Sequence, residues 1–187
     1  MEMGKRMNKL LLLVEKNNDI LKKNLYKMVQ AYYTEKYGLS DEVVRIKKDS
    51  RGKPYVTIRG ERLSDFFNIS HTSGIGVVIF SNYEVGIDIE MIRNVDDRIA
   101  QRFFRINEKQ YLQDSTDEME YQRRFYEIWT KKESYSKWNG TGLVDNLASV
   151  DVLAKQYAFC NIEIEGTGYA LAVYGRSRVS FESDLSI

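Results

Sequence analysis

Three short stretches of this chain carry side chains whose types and spacing suit chemistry. In Val85-Gly86-Ile87-Asp88-Ile89-Glu90 apolar and acidic residues alternate, the period of a strand with one face in a core. Val85, Ile87 and Ile89 then point one way, and Gly86, Asp88 and Glu90 the other. The two carboxylates lie about 7 Å apart along such a strand. They repel unless a cation or a basic group sits between them. Gly86 leaves that open face clear for a close-approaching ligand. The same pattern also suits an ordinary half-exposed strand, and alone it decides nothing.

The second stretch is Trp129-Thr130-Lys131-Lys132-Glu133-Ser134-Tyr135-Ser136-Lys137. Four residues apart on a helix, Glu133 and Lys137 share a face with Trp129 one turn earlier. Judged by spacing, they equally form a surface salt bridge. In the third stretch, Phe66-Phe67-Asn68-Ile69-Ser70-His71-Thr72-Ser73-Gly74, a strand runs into a turn of hydroxyls, an imidazole and free backbone amides, which suits phosphate oxygens. A Ser-His hydrolase fits poorly. Adjacent Ser70 and His71 in a strand point to opposite faces, and no nucleophile-elbow glycines surround a serine.

Composition narrows what these residues can hold. The chain has one cysteine, Cys160, and one histidine, His71. An intramolecular disulfide, a cysteine zinc cluster and a His-rich metal site are therefore excluded. A metal site here is built from oxygens, which favours magnesium or manganese. The net charge of +1 gives no basic field for nucleic acid. No apolar run approaches the roughly 20 residues of a membrane span, and Leu10–Val14 is too short for a signal-peptide core. The expectation is a cytoplasmic protein with no nucleic-acid or membrane partner.

Stepping outward to the elements that must position these groups, Leu10–Val14 reads as a buried strand. Asn17-Asn18-Asp19 supplies cap chemistry for a helix with Leu21, Leu25, Met28, Val29 and Tyr32 on one stripe, closed by Gly38. Strands follow at Val43–Lys47, Tyr55–Arg59, Phe66–Ser70, Ile75–Ser81 and Val85–Glu90. Then come helices over Asp96–Phe104, from an Asn107 cap through Leu112, and from Asp117 to about Trp138. Met119, Phe125, Ile128, Trp129 and Tyr135 are the last helix's apolar positions, and Gly140 and Gly142 end it. Strands near Ser149–Leu153, Phe159–Ile164, Tyr169–Tyr174 and Arg178–Glu182 close the chain. Helices and strands segregate in runs, which means α+β. The two halves, residues 1–95 and 96–187, each offer a helix and a strand meander, so a pseudo-duplicated fold is expected.

In this order the stretches resemble the 4′-phosphopantetheinyl transferases of the larger, surfactin-synthetase-activating (Sfp-like) type. The resemblance rests on Gly52-Lys53-Pro54-Tyr55, Phe67-Asn68-Ile69-Ser70-His71, Val85 through Glu90, Arg102-Phe103-Phe104, Phe125 through Lys137, Gly140-Thr141-Gly142-Leu143 and Tyr169 through Val173. It covers well over half the chain.

That resemblance implies transfer of the phosphopantetheine arm of coenzyme A to a serine of an acyl or peptidyl carrier protein, releasing 3′,5′-ADP. It implies Asp88, Glu90 and Glu133 as ligands of Mg2+, or of Mn2+, and Lys137 beside the pyrophosphate. Glu133 becomes the candidate base, with a metal-bound water as the alternative. Lys53, Ser70 and His71 become coenzyme A contacts, His71 near the 3′-phosphate. Larger members usually carry an extra N-terminal helix with basic residues; here the segment before the first helix is shorter, and Lys22 and Lys23 are the available substitutes. Carrier proteins are generally acidic, which makes Arg98, Arg102, Arg105 and Lys109 plausible contacts. A monomer is expected. A diphosphate hydrolase and a non-catalytic coenzyme A- or carrier-binding protein are the competing readings.

Overall fold

The structure, a computed structural model, describes residues 8–140 and 147–175. The expected strand at Arg178–Glu182, and Gly142, lie outside these residues. The chain begins with β1 (Lys9–Val14) and α1 (Asn18–Tyr37). Asn17 caps α1 by accepting from the amides of Asp19 and Ile20, and Gly38 ends it in the left-handed region at φ 62°. Four strands, β2 (Val44–Lys48), β3 (Pro54–Ile58), β4 (Glu61–Arg62) and β5 (Phe66–Thr72), precede a hairpin to β6 (Ile75–Ser81), then β7 (Val85–Met91). Next come α2 (Asp97–Phe103), α3 (Ile106–Gln113) and α4 (Glu118–Asn139), a 3-10 turn at Leu147–Ser149, and β8 (Ala158–Ile164) with β9 (Thr167–Gly175).

The strands form three antiparallel sheets, ordered β1-β6-β5, β2-β3-β4 and β7-β9-β8. The α+β expectation holds. Side-chain alternation then sorts the core into layers. Leu21, Leu25, Val29 and Tyr33 of α1 pack on Val78 and Phe80 of β6, with Val44 and Val56 closing that layer. The opposite face of β6 (Ile75, Val77, Ile79) meets Val85, Ile87 and Ile89 of β7 and Leu171 and Val173 of β9. Phe125 and Ile128 of α4 pack with Ala100, Phe104, Leu112 and Ala170 in a third cluster. The mutual order is helix, sheet, sheet, helix.

Several boundaries differ from the sequence expectation for physical reasons. Strand β1 is half-buried, because it sits at the edge of its sheet and pairs only with β6. Tyr33, one residue past the expected stripe end, is fully buried, while Tyr32 is partly exposed and stacks on Phe80. Arg105, not Asn107, precedes α3: its amide donates to Glu108 Oε2 at 2.7 Å, and Asn107 reaches Asp151 instead. Met119 is exposed, in the first turn of α4.

No strand forms at 149–153. Lys132, fully buried, donates to the carbonyls of Leu147 and Val150 at 2.9 and 2.8 Å and to Glu108 Oε2 at 2.8 Å. The other oxygen of Glu108 accepts from the Val152 amide at 2.9 Å. The backbone groups that a ladder would use are held by this buried pair, and the segment packs as a turn against α3 and α4.

Candidate active site

Strand β7 carries Asp88 and Glu90 on the face away from the Val85, Ile87 and Ile89 core. That face is not open, as the sequence suggested. Helix α4 lies on it, and Gly86 is what admits the helix. A Cβ at Gly86 would stand 2.0 Å from the carbonyl oxygen of Ser134 and 2.5 Å from the amide nitrogen of Trp138. The glycine therefore clears the way for a helix backbone rather than for a ligand. This approach sets Glu133 and Lys137, one turn apart, over Asp88.

Strand β5 is held to β7 by side chains. Asn68 Oδ1 accepts from the Ile87 amide at 3.2 Å, and Ser70 Oγ accepts from the Ile89 amide at 3.3 Å. Ser70 donates to Asp88 Oδ1 at 2.8 Å. Lys137 Nζ donates to both, at 2.8 Å to Ser70 Oγ and 2.7 Å to Asp88 Oδ1. Two residues further along β5, Thr72 donates to Glu90 Oε2 at 3.2 Å. Residues 68, 70 and 72 share one face of their strand, so alternation from Ser70 reaches the unflagged Asn68 and Thr72 as well.

The turn expected over Ser70–Gly74 is shorter than its composition suggested. Ser70, His71 and Thr72 lie within β5, paired with Val77, Gly76 and Ile75 across the hairpin. Their backbone belongs to a ladder, not to an amide cradle. Ser70 is buried against Asp88, whereas its neighbour His71 is exposed. Partial loss of solvent around the ring, with the charges of Lys22 and Lys137, holds the exposed His71 imidazole below its ordinary value.

Electrostatics tie the three carboxylates together. Burial first, then the charge of Asp88, pushes Glu133 up to about 8, and Glu90 also raises it. Burial followed by Asp88 likewise pushes Glu90 up to about 7. Each acid is expensive to ionise beside the others. Asp88 is 3% exposed, and its Oδ2 is buried with no hydrogen-bond partner among the described residues. An orphaned carboxylate oxygen within an all-oxygen acidic set fits a hard divalent cation. In this conformation no three His, Cys, Asp or Glu among the described residues close into a ligand cluster. The ammonium of Lys137 supplies the positive charge at Asp88, and the Glu133–Lys137 surface pair expected from spacing gives way to this contact.

Two clefts open beside Lys137. One, of about 380 Å³, is lined by Lys22, Tyr26, Lys48, His71 and Lys137; the other, of about 240 Å³, by Arg51, Lys53, Glu133, Ser136 and Lys137. Gly52, Pro54 and Asn68 line both, so they form one basic groove leading to the carboxylates. Lys53 crosses to α4 and donates to the Trp138 carbonyl at 2.9 Å, and Arg51 to the Asn139 carbonyl at 3.4 Å. Burial lowers the Lys53 ammonium. Lys22 and Tyr26, one turn apart on α1, Lys48 at the end of β2 and Arg51 in the turn after it are brought to the groove only by the fold. Arg98, Arg102 and Arg105 are exposed on α2 and at the start of α3, while Lys109 donates to the Gln101 carbonyl at 2.9 Å.

Residues 84–181 match the family model of the 4′-phosphopantetheinyl transferase superfamily. The 4′-phosphopantetheinyl transferase gsp of Aneurinibacillus migulanus is 37% identical over 119 residues, 62% of this chain and 46% of that protein. The 4′-phosphopantetheinyl transferase Sfp of Bacillus subtilis (strain 168) is 31% identical over 139 residues, 73% of this chain and 59% of the relative. HetI of Nostoc sp., also a 4′-phosphopantetheinyl transferase, is 35% identical over 113 residues, 57% of this chain and 46% of the relative. The chain spans about half the length of the curated relatives it matches.

Proposed function

Because the chain belongs to the 4′-phosphopantetheinyl transferase superfamily, we propose that it transfers the phosphopantetheine arm of coenzyme A to a serine of an acyl or peptidyl carrier protein, releasing 3′,5′-ADP. The observation that carries this reading is the meeting of Asp88, Glu90, Glu133 and Lys137 at the end of a basic groove. Transfer at a phosphorus needs charge neutralised and reactants held in line, and little covalent work from the protein.

The groove divides the labour. Lys22, Lys48 and His71 line its outer part and suit the nucleotide phosphates of coenzyme A. Lys53 and Arg51, fixed on the end of α4, flank the route to the reaction centre. Lys137 stabilises charge gathering on the departing 3′,5′-ADP. Glu133, directly or through a water, takes the proton of the incoming serine hydroxyl. Ser70 is a positioning residue: it orients Asp88 and Lys137 from beneath. Asp88, Glu90 and Glu133 would hold Mg2+ or Mn2+. Such an ion, when bound, neutralises pyrophosphate oxygens and makes the phosphorus more electrophilic.

The exposed arginines 98, 102 and 105 suit an acidic carrier beside the groove. The division at residue 95 is kept as a reading of the chain in two similar halves, supported by one long helix on each outer sheet face; β7 pairs with β9 across it. A soluble cytoplasmic monomer is part of the proposal, and no described helix is long and apolar enough to cross a membrane.

The test is to incubate the protein with coenzyme A, Mg2+ and several apo carriers, and weigh each carrier by mass spectrometry. A gain of one phosphopantetheine is expected, and Asp88→Ala should abolish it while leaving circular dichroism unchanged. No gain on any carrier sinks the transferase reading. Free phosphopantetheine without a carrier would point to hydrolysis instead.

A further inference from the structure

We infer that Lys137 is a removable internal cation for Asp88, so that a divalent ion binds tightly only once a diphosphate has drawn the ammonium away. The inference rests on the metal reading above and adds how that site is regulated. Its starting point is the unequal use of the two Asp88 oxygens. Oδ1 accepts from Ser70 and from Lys137, at 2.8 and 2.7 Å, while buried Oδ2 has no partner among the described residues.

Ser70 is saturated around the same oxygen. Its single proton goes to Asp88, and its lone pairs take the Lys137 ammonium and the Ile89 amide. A divalent ion on Oδ2 and an ammonium on Oδ1 would share one carboxyl in a buried site, where like charges repel strongly. One of the two cations must yield. Asp88 cannot move to separate them, since its side chain is 4% exposed and strand-borne. Lys137 can: its side chain is 29% exposed, on a flexible four-carbon stem, and it borders both clefts of the groove. The phosphate oxygens of a diphosphate in that groove offer it a stronger anionic partner within reach of the same stem.

The ammonium thus keeps the buried acid neutralised in the resting protein, and it exchanges places with the ion when substrate arrives. Metal and diphosphate then bind as a coupled pair, and each favours the other through the position of one side chain.

The decisive measurement is Mn2+ binding to the diphosphate-free protein, followed by electron paramagnetic resonance. Lys137→Met should bind Mn2+ about tenfold or more tightly than the unaltered chain, the change expected from lifting a like charge at contact distance. Lys137→Arg, which keeps the charge, should not. Unchanged or weaker Mn2+ binding in Lys137→Met overturns the inference. Asp88→Asn separates the two levels: if it loses Mn2+ while Lys137→Met is unchanged, only the coupling is wrong. If Asp88→Asn binds Mn2+ as the unaltered chain does, the metal reading falls and the inference with it. A second measurement needs no variant. Sparse acetylation with acetic anhydride, read by peptide mass spectrometry, should label Lys137 several-fold more at Mn2+ concentrations high enough, by the resonance signal, to saturate the diphosphate-free site, with Lys36 unchanged as control. Equal labelling of Lys137 with the site empty and with it saturated also overturns it.

Discussion

Replacing Glu133 by glutamine should raise the stability of the metal-free protein at alkaline pH and flatten its dependence on pH. Glu133 is 8% exposed, and burial with Asp88 and Glu90 beside it pushes it up to about 8 from an ordinary 4.5. The sign follows from proton counting. Between those two values the folded chain keeps a proton that the unfolded chain has lost, so stability falls as pH rises through the window. From pH 6.5 to 8.0 one such group costs about 2 kcal/mol, at about 1.4 kcal/mol per pH unit. For a chain of 187 residues that is a fall in Tm of about 4–8 °C. Glu90, pushed up to about 7, completes its loss lower in the window. His71 is held below its ordinary value, so the unfolded imidazole still sheds protons just above pH 6.5. This small rise in stability with pH opposes the carboxylates and is common to both proteins, leaving the difference between their slopes to Glu133. The assay is thermal unfolding with EDTA at pH 6.5, 7.0, 7.5 and 8.0 for both proteins. A flat Tm in the unaltered chain, or an equal slope in Glu133→Gln, would show that the carboxylates do not share a buried site.

The other tests probe how the site is held. Gly86→Ala should destabilise by about 3 kcal/mol or more, read from urea unfolding, because its Cβ would meet the Ser134 carbonyl oxygen at 2.0 Å and α4 must retreat. Lys132→Met alone should cost about 3–5 kcal/mol by stranding the fully buried Glu108, whereas Lys132→Met with Glu108→Leu should cost markedly less; equal losses would mean the pair is not coupled. Asp88→Ala should remove phosphopantetheine transfer and metal-dependent coenzyme A binding together, measured by carrier mass and by calorimetry.

Local rules made much of this molecule legible from its residues. Apolar spacing and the Asn17 and Gly38 caps define α1, and Asp117 with Gly140 bounds α4. Strand alternation separates Val85, Ile87 and Ile89 from Asp88 and Glu90. The exclusion of a cysteine cluster and of a His-rich metal site is a matter of composition. These features depend on neighbours a few residues away, which sequence periodicity reports directly.

What sequence could not decide was which partner each of these side chains meets. Glu133 and Lys137 have a spacing that suits a surface pair equally well, and only the seating of α4 on Gly86 takes Lys137 to Asp88 and Ser70, residues 49 and 67 positions away. The same limit hid the grip of Lys132 on Leu147 and Val150, which replaced an expected strand with a turn. Periodicity records how a residue faces along its own element; a contact between elements depends on how two backbones approach, and here that approach turns on one missing Cβ. The carboxylates and the lysine were written in the sequence, and their meeting in one buried site was decided by the packing of α4 against β7.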